Sequence, residues 1–165
     1  MFARFALLAS ALIAVPALAE DLPVIIKIPR LTMEAADKIA HGAVAACRKQ
    51  GIQITATVVD RSGDPMVVLR DTLAPPVSIK ISREKAYTAV NFNAPLSTME
   101  DRFSKPFSVG KVKGLIFSAG RIPISAAGNI VGAVGVSGAA TGEQDEACAK
   151  AGIDSILMEL EMAGT

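Results

Sequence analysis

The segment from Gly120 to Gly142, GRIPISAAGNIVGAVGVSGAATG, constrains the fold more than any other part of the chain. Residues 121–126 and 130–137 are two short apolar runs separated by the turn sequence Ala-Gly-Asn, which predicts a β-hairpin. The second run carries glycines at 132, 135 and 138, where missing side chains let another backbone or a flat ligand come close. We therefore expect a binding surface on this glycine-rich ribbon.

The hydrophobic periodicity predicts the other elements. Apolar residues recur at helical spacing in a first helix, with Ala36, Ile39, Ala40, Ala43, Val44 and Cys47 facing inward. Strands joined by tight turns favour an antiparallel sheet over βαβ units. The sequence thus predicts one α/β (α+β) domain over residues 31–165, a five-stranded antiparallel sheet with helices packed on it. The predicted helices cover 33–50, 78–92 and 143–162 with a helical turn at 97–103, and the predicted strands outside the hairpin cover 52–60, 65–71 and 115–117.

Residues 1–19, MFARFALLASALIAVPALA, have the three parts of a secretory signal peptide. Arg4 provides the positive start, Phe5 to Val15 form an apolar core, and Ala17-Leu18-Ala19 is a small-x-small cleavage site. The core is shorter than the roughly 18 apolar residues that a membrane-spanning helix needs. We therefore expect export to the periplasm or medium, a mature form without a membrane span, and an extended N-terminal arm over residues 20–30.

The charge of the mature chain excludes some partners. Arg4 is one of 17 basic residues, so its removal leaves 16 basic against 16 acidic residues. A neutral chain gives no support for nucleic-acid binding, which requires a basic excess.

The two cysteines, Cys47 and Cys148, fall in the first and last predicted helices. Export would bring both into an oxidising compartment, where they either form a disulfide or remain two buried thiols. No Cys-x-x-Cys motif occurs, which disfavours thioredoxin-type chemistry and covalent heme attachment.

His41, the one histidine of the chain, lies close to the apolar stripe of the first helix. A structural zinc site needs about four ligands, whereas heme iron needs a single axial ligand. His41 is thus either a heme ligand or a partly exposed helix residue without a ligand. The chain also lacks a Gly-x-Ser-x-Gly elbow, a phosphate-binding loop and the G-x-G-x-x-G fingerprint, and no convincing acid–base pair is visible. An enzymatic role is therefore not favoured.

The predicted helix over residues 78–92 carries Lys80, Arg83 and Lys85, with Tyr87 nearby. Cations at this spacing can bind carboxylates such as heme propionates, or they form an ordinary solvated face. Free amides at the start of the last helix, near Gly142, are a further candidate anion site, with a simple helix cap as the alternative.

Three stretches resemble the GlcG/HbpS-type heme-binding family, which also occurs fused to corrinoid adenosyltransferases. They are LTMEAADKIAHGAVAACRKQGIQITATVVDRSGDPMVVLRDT (31–72), SREKAYTAVNFNAPL (82–96) and GRIPISAAGNIVGAVGVSGAATGEQDEACAKAG (120–152). The resemblance implies a profilin-like fold, a homo-oligomer and non-covalent binding of heme or a related tetrapyrrole. Lys85 and the Gly135–Gly138 backbone fall at family-typical positions, but no histidine lies in the glycine turn or the last helix. If His41 faces solvent, iron ligation would pass to Tyr87, a methionine or nothing.

These observations together predict an exported, oligomeric protein that holds or senses heme. In this hypothesis His41 is the axial ligand, Arg83 and Lys85 bind the propionates, and Gly135, Ser137 and Gly138 form the floor beneath the ring. The alternatives are an enzyme or accessory factor acting on heme or a small carboxylate, and a structural subunit that binds an exported protein through the N-terminal arm.

Overall fold

The computed structural model describes residues 23–93 and 109–163, which form a four-stranded sheet with helices on both faces. The helices are α1 (Met33–Arg48), α2 (Val77–Phe92), α3 (Gly142–Asp154) and α4 (Leu157–Ala163), with a short 3₁₀ turn at Val109–Lys111. The strands are β1 (Thr55–Asp60), β2 (Pro65–Arg70), β3 (Arg121–Ala126) and β4 (Asn129–Ser137). No helix in these two ranges is long and apolar enough to cross a membrane.

The sheet is antiparallel, in the order β2-β1-β4-β3. Two hairpins, β1–β2 and β3–β4, are joined by the central β1–β4 pair, in which the first strand of one hairpin lies beside the second strand of the other. Ala127 and Gly128 both have positive φ, as a two-residue hairpin turn requires. The mixed α/β class and the antiparallel sheet are thus as predicted from the sequence.

The predicted fifth strand, over residues 115–117, is wrong, because this segment pairs with no strand among the described residues. Its backbone lies against α2 instead, where the Ile116 amide donates to Thr88 Oγ1 at 3.0 Å. Phe117 packs edge-on against Phe92 at the end of α2, with ring centroids 5.1 Å apart. A run of three apolar residues is compatible with a strand and also with a loop whose side chains pack against a helix, so the sequence pattern did not distinguish the two.

The main core lies between the sheet and the α1–α3 pair. All six residues predicted to face inward from α1 are buried. Cys47 and Cys148 form a disulfide that joins α1 to α3, with Cα atoms 5.6 Å apart. Since Gly42 also faces Ser155 and Lys38 pairs with Glu159, the two chain directions run antiparallel.

The last helix is divided in two, whereas the sequence predicted one helix over residues 143–162. At the break, Ser155 Oγ donates to the Gly152 carbonyl at 2.7 Å and the Ile156 amide bonds back to Ile153. These bonds tighten the chain into a turn, after which α4 begins at Leu157. Ala147 of α3 and Leu157 of α4 are both exposed.

The second face of the sheet is covered by α2. The central strand β1 is buried on both faces, and its Thr55 and Thr57 bond to Ser78 and Ser82 of α2 at 2.6 and 2.8 Å. Ile79, in the first turn of α2, is 41% exposed.

The predicted signal peptide and the predicted helical turn over residues 97–103 lie outside the described residues. Within the predicted arm, the described part is extended and carries exposed Val24, Ile25, Ile26 and Ile28. Arg30 fixes its end to the β1–β2 turn through Asp60, with Nη1 and Oδ2 3.0 Å apart.

Candidate functional site

The candidate site is an open cleft of about 810 Å³ on the outward side of α2. The helix contributes Lys80, Arg83 and Tyr87, while the β1–β2 turn contributes Gly63 and Asp64. On the opposite side of the cleft, the loop before β3 contributes Lys113 and Gly114. The remaining lining residues are Pro76, Ile79 and Glu84.

Helical spacing places the cations of α2 on one side. Residues 80, 83, 84 and 87 are separated by three or four positions, so their side chains share one face of the helix. Among the described residues, the Lys80 ammonium makes a long ion pair with Glu84, at 4.0 Å, and its side chain is 75% exposed. With Lys113 opposite, three cations face two carboxylates, so the cleft carries a net positive charge.

Tyr87 forms an aromatic wall of this cleft and is 40% exposed. Its ring lies so close to Gly63 that a Cβ there would meet the ring carbons Cδ2 and Cε2 at 2.6 and 2.8 Å. Gly63 also has a φ of 92°, which an L-residue rarely adopts. The glycine in VVDRSGD is thus needed both for the turn and for the position of the tyrosine.

The bare backbone of β4 faces internal partners rather than solvent. A Cβ at Gly135 would clash with the Ser82 carbonyl oxygen and lie 2.6 Å from the Ala86 amide nitrogen, because α2 packs directly on this strand. A Cβ at Gly138 would meet the Gln53 carbonyl oxygen at 2.8 Å, and Ser137 is itself buried. These contacts argue against an open ligand floor at Gly135, Ser137 and Gly138, since helix α2 and the segment before β1 occupy that space, and the floor stays a prediction.

Lys85 points away from the cleft into a buried ion pair. Its Nζ is 2.9 Å from both Asp145 Oδ2 and the Val136 carbonyl oxygen, and the two side chains are 4% and 5% exposed. Burial raises the pKa of Asp145, while Lys85 and the Ala139 and Gly138 amides oppose the rise. These contacts argue against a role for Lys85 as a propionate partner, and that role stays a prediction.

His41 does not join the other predicted residues. It lies on α1, on the opposite face of the sheet from α2, with a side chain that is 66% exposed and a 3.6 Å contact to Asp37. It lines a separate shallow pocket of about 320 Å³ beside Arg48 and Asp71. Of the predicted site residues, only Arg83 lies in the cleft.

The burial of three charged residues, Asp145, Lys85 and Arg121, was not predicted from the sequence. Asp145 lies in the acidic first turn of α3, where a carboxylate usually needs no other role than to complement the helix dipole. It nevertheless shares the spacing of Cys148, Ala149 and Gly152 and so lies on the buried face of α3. The same spacing, continued from Ser78 through Ser82, places Lys85 on the buried face of α2. Arg121, which is fully buried, gave no such signal, because a charged residue opening a strand is usually exposed.

Comparison with known proteins is consistent with this architecture. Residues 31–154 match the family model described as "Haem degrading protein HbpS-like". The chain is similar to a crystallised double mutant of HbpS from Streptomyces reticuli, with 38% identity, a TM-score of 0.75, and coverage of 86% of this chain and 97% of the other.

Two further relatives are more distant. The structure titled "PduOC:Heme Complex" shares the fold at 22% identity, with a TM-score of 0.71 and coverage of 78% of this chain and 96% of that one. An "Uncharacterized 15.0 kDa protein in dhaT-dhaS intergenic region" of Citrobacter freundii is 29% identical over 133 residues, which cover 78% of this chain and 93% of the relative.

Proposed function

This chain belongs to the HbpS-like family, and on that premise we propose that it is an exported, oligomeric protein that binds heme in the cleft of α2 and holds it intact. The observation that carries the proposal is the combination of Lys80, Arg83, Lys113 and Tyr87 around one cleft. Ligand pockets in proteins commonly measure about 300–1,000 Å³, and the cleft falls within that range.

The chemistry of the cleft suits an amphipathic, dianionic ligand. The guanidinium of Arg83 and the ammonium groups of Lys80 and Lys113 would bind the two propionates. The exposed apolar surface of Ile79 and Tyr87 would lie against the porphyrin. Tyr87 is the one side chain of the lining with a group known to ligate heme iron, a phenol oxygen.

Binding without turnover follows from how open this cleft is. Tyr87 is 40% exposed and the cations at the rim are exposed as well, so a bound iron would remain in contact with water. Catalysis on a cofactor is favoured in sites that exclude water. We therefore expect the Soret band of the complex to persist when a reductant and air are present. A steady loss of the band would contradict the proposal that the protein holds heme intact.

The test of binding is a hemin titration followed by the Soret band. Arg83→Ala and Lys80→Ala should each weaken binding about tenfold, the loss expected for one charged hydrogen bond. Tyr87→Phe should shift the Soret band, because the phenol oxygen is lost while the ring is kept. Lys150→Ala removes an exposed cation on α3, outside the cleft lining, which pairs with Asp154, and should bind like the wild type.

Two outcomes would contradict the assignment. Hemin binding that is equal in wild type and in the Lys80→Ala/Arg83→Ala double variant would remove the cleft as the site. Loss of the Soret shift in His41→Ala, with Tyr87→Phe unchanged, would assign the iron to the opposite face of the sheet.

Export is supported by residues 1–19, and assembly is supported by the arm that follows them. Residues 1–19 have the pattern of a cleaved signal peptide, and the arm after it exposes Val24, Ile25, Ile26 and Ile28. Exposed contiguous apolar residues commonly mark contacts between chains. Cell fractionation with mass spectrometry should find a chain that begins at Glu20 outside the cytoplasm, and light scattering should give a multiple of the monomer mass that falls in Ile25→Asp.

A further inference from the structure

Arg121 opens β3 and is completely enclosed, with no exposed surface. It lies opposite Gly135 of β4, so its side chain is directed to the face of the sheet that α2 covers. The Phe117 ring lies against it, with the guanidinium carbon 5.4 Å from the ring centroid. The guanidinium thus lies over the face of an aromatic ring.

Within the described part of the chain, Nε, Nη1 and Nη2 of Arg121 have no hydrogen-bond acceptor. Burial of a charged donor without an acceptor is costly, and native proteins rarely leave such groups unpaired. Glu146 acts on Arg121 through its charge, which raises the pKa, but burial lowers the pKa of Arg121 to about 10. The guanidinium therefore still carries its positive charge at neutral pH.

We infer that Arg121 anchors a second binding site, one that accepts a small monocarboxylate. The planar guanidinium offers two parallel N–H groups along an edge, and a carboxylate matches that fork with two hydrogen bonds. Phe117 occupies one side of the guanidinium, and none of its three nitrogens has an acceptor among the described residues, so its donors are available to a ligand. The inference does not rest on heme binding, since Arg121 is not part of the cleft lining.

The surrounding charges select a monoanion over a phosphate-like dianion. Asp145 and Glu146 both lie beside Gly120, the residue before Arg121: a Cβ at Gly120 would be 2.7 Å from Asp145 Cβ, and the Gly120 amide is 3.4 Å from Glu146 Oε2. The Lys85 ammonium also lies beside Gly120, so Arg121 and Lys85 together balance the two carboxylates. A bound monoanion would leave this region with one negative charge, whereas a dianion would leave it with two. Phe117 and Phe92, in edge-on contact, provide an apolar surface for the short carbon chain of a carboxylate.

Thermal unfolding tests this site on the purified protein with its disulfide intact and without heme. Sodium acetate is compared with sodium chloride and sodium sulfate at equal ionic strength. Acetate at about one hundred times its dissociation constant should raise Tm by about 5 °C, and sulfate should not. Arg121→Met should abolish the acetate effect, and its Tm in chloride should be no lower than that of the wild type, because an unpaired buried charge has been replaced by an apolar chain of similar length.

Arg121→Lys keeps the charge but not the fork, so its acetate affinity should fall by about tenfold even if the methionine variant fails to fold. The site is overturned if acetate does not stabilise the wild type, if a folded Arg121→Met variant keeps the response, or if Arg121→Lys binds acetate as tightly as the wild type. Hemin titration of the same variants separates the two proposals. Unchanged hemin affinity in Arg121→Lys is expected, whereas its loss would mean that the carboxylate is a heme propionate and that no independent site exists.

Discussion

Lys85 and Asp145 are the two charged side chains that the fold buries as a pair. Their ion pair links the middle of α2 to the first turn of α3, and Lys85 also bonds to the Val136 carbonyl at the end of β4. Asp145 Oδ1 accepts the Ala139 amide, so the carboxylate also holds the glycine-rich turn. One charge pair therefore fixes three segments at the end of the sheet.

Removal of one partner of this pair should be far more damaging than removal of both. Lys85→Met leaves Asp145 buried without its cation, which should lower the free energy of unfolding by about 3–5 kcal/mol. The double variant Lys85→Met/Asp145→Asn should recover part of that loss, because no uncompensated charge remains. Urea denaturation of the single and double variants measures the coupling, and additive losses would contradict a direct pair.

Arg48 and Asp71 predict a specific acid sensitivity. Arg48 donates two hydrogen bonds to Asp71, at 2.7 and 2.8 Å, and these lower the pKa of Asp71. A carboxyl whose folded pKa is depressed stabilises the fold fully above its unfolded pKa, about 4, and this contribution is lost as pH falls through the folded pKa. Arg48→Ala should therefore lower the urea midpoint at pH 7 and reduce its fall as pH drops below about 4.

The matched control for this pH profile is Lys150→Ala, which removes an exposed partner of Asp154. Its urea midpoint should follow the wild-type pH dependence, since exposed pairs of this kind contribute little. If the urea midpoint of Arg48→Ala changed with pH as it does in the wild type, the Arg48–Asp71 pair would not be the cause of the loss of stability at low pH.

Gly135 allows α2 to rest directly on β4. A Cβ there would meet the Ser82 and Ala86 backbone, which cannot move without shifting the whole helix. Gly135→Ala should therefore destabilise the fold by about 1–3 kcal/mol or more, the usual cost of overpacking. Gly128→Ala is the control: its φ is 79° but nothing lies within 4 Å of its Cβ, so only backbone strain of about 1–2 kcal/mol is expected. A smaller loss in Gly135→Ala than in Gly128→Ala would contradict close packing of α2.

The elements that the sequence predicted well are those with a strong local pattern. The stripe of α1 and the two hairpins are encoded by residues a few positions apart, and their bounds agree within about three residues. The glycines of β4 were recognised as a place of close approach, but a missing side chain does not say what approaches. Helix α2 and a ligand are both compatible with GAVGVSG, and only the packing of distant elements decides between them.

At the scale of the whole molecule, the sheet separates two regions. The α1–α3 face holds the larger core and the disulfide, while the α2 face holds the basic cleft and Arg121. The sequence could not assign residues to these faces, because strand order depends on contacts between positions far apart in the chain. His41 and Arg83 were therefore placed in one hypothetical site although they lie on opposite faces.

This separation makes the disulfide a test of the molecule as a whole. Cys47 and Cys148 are 101 residues apart, and closure of a loop of that length stabilises by about 4–5 kcal/mol in the chain-entropy model. The Cys47→Ala/Cys148→Ala variant should lose about that much stability, with a further small loss from the cavity. Treatment with dithiothreitol should lower the Tm of the wild type and leave the Tm of the variant unchanged.

Because the bridge lies on the face of the sheet opposite to the cleft, hemin affinity measured well below both melting temperatures should be the same in the two proteins. A variant that keeps its Tm would show that the close packing of α1 on α3 suffices, and one that stays folded but loses hemin would show that the two faces are coupled.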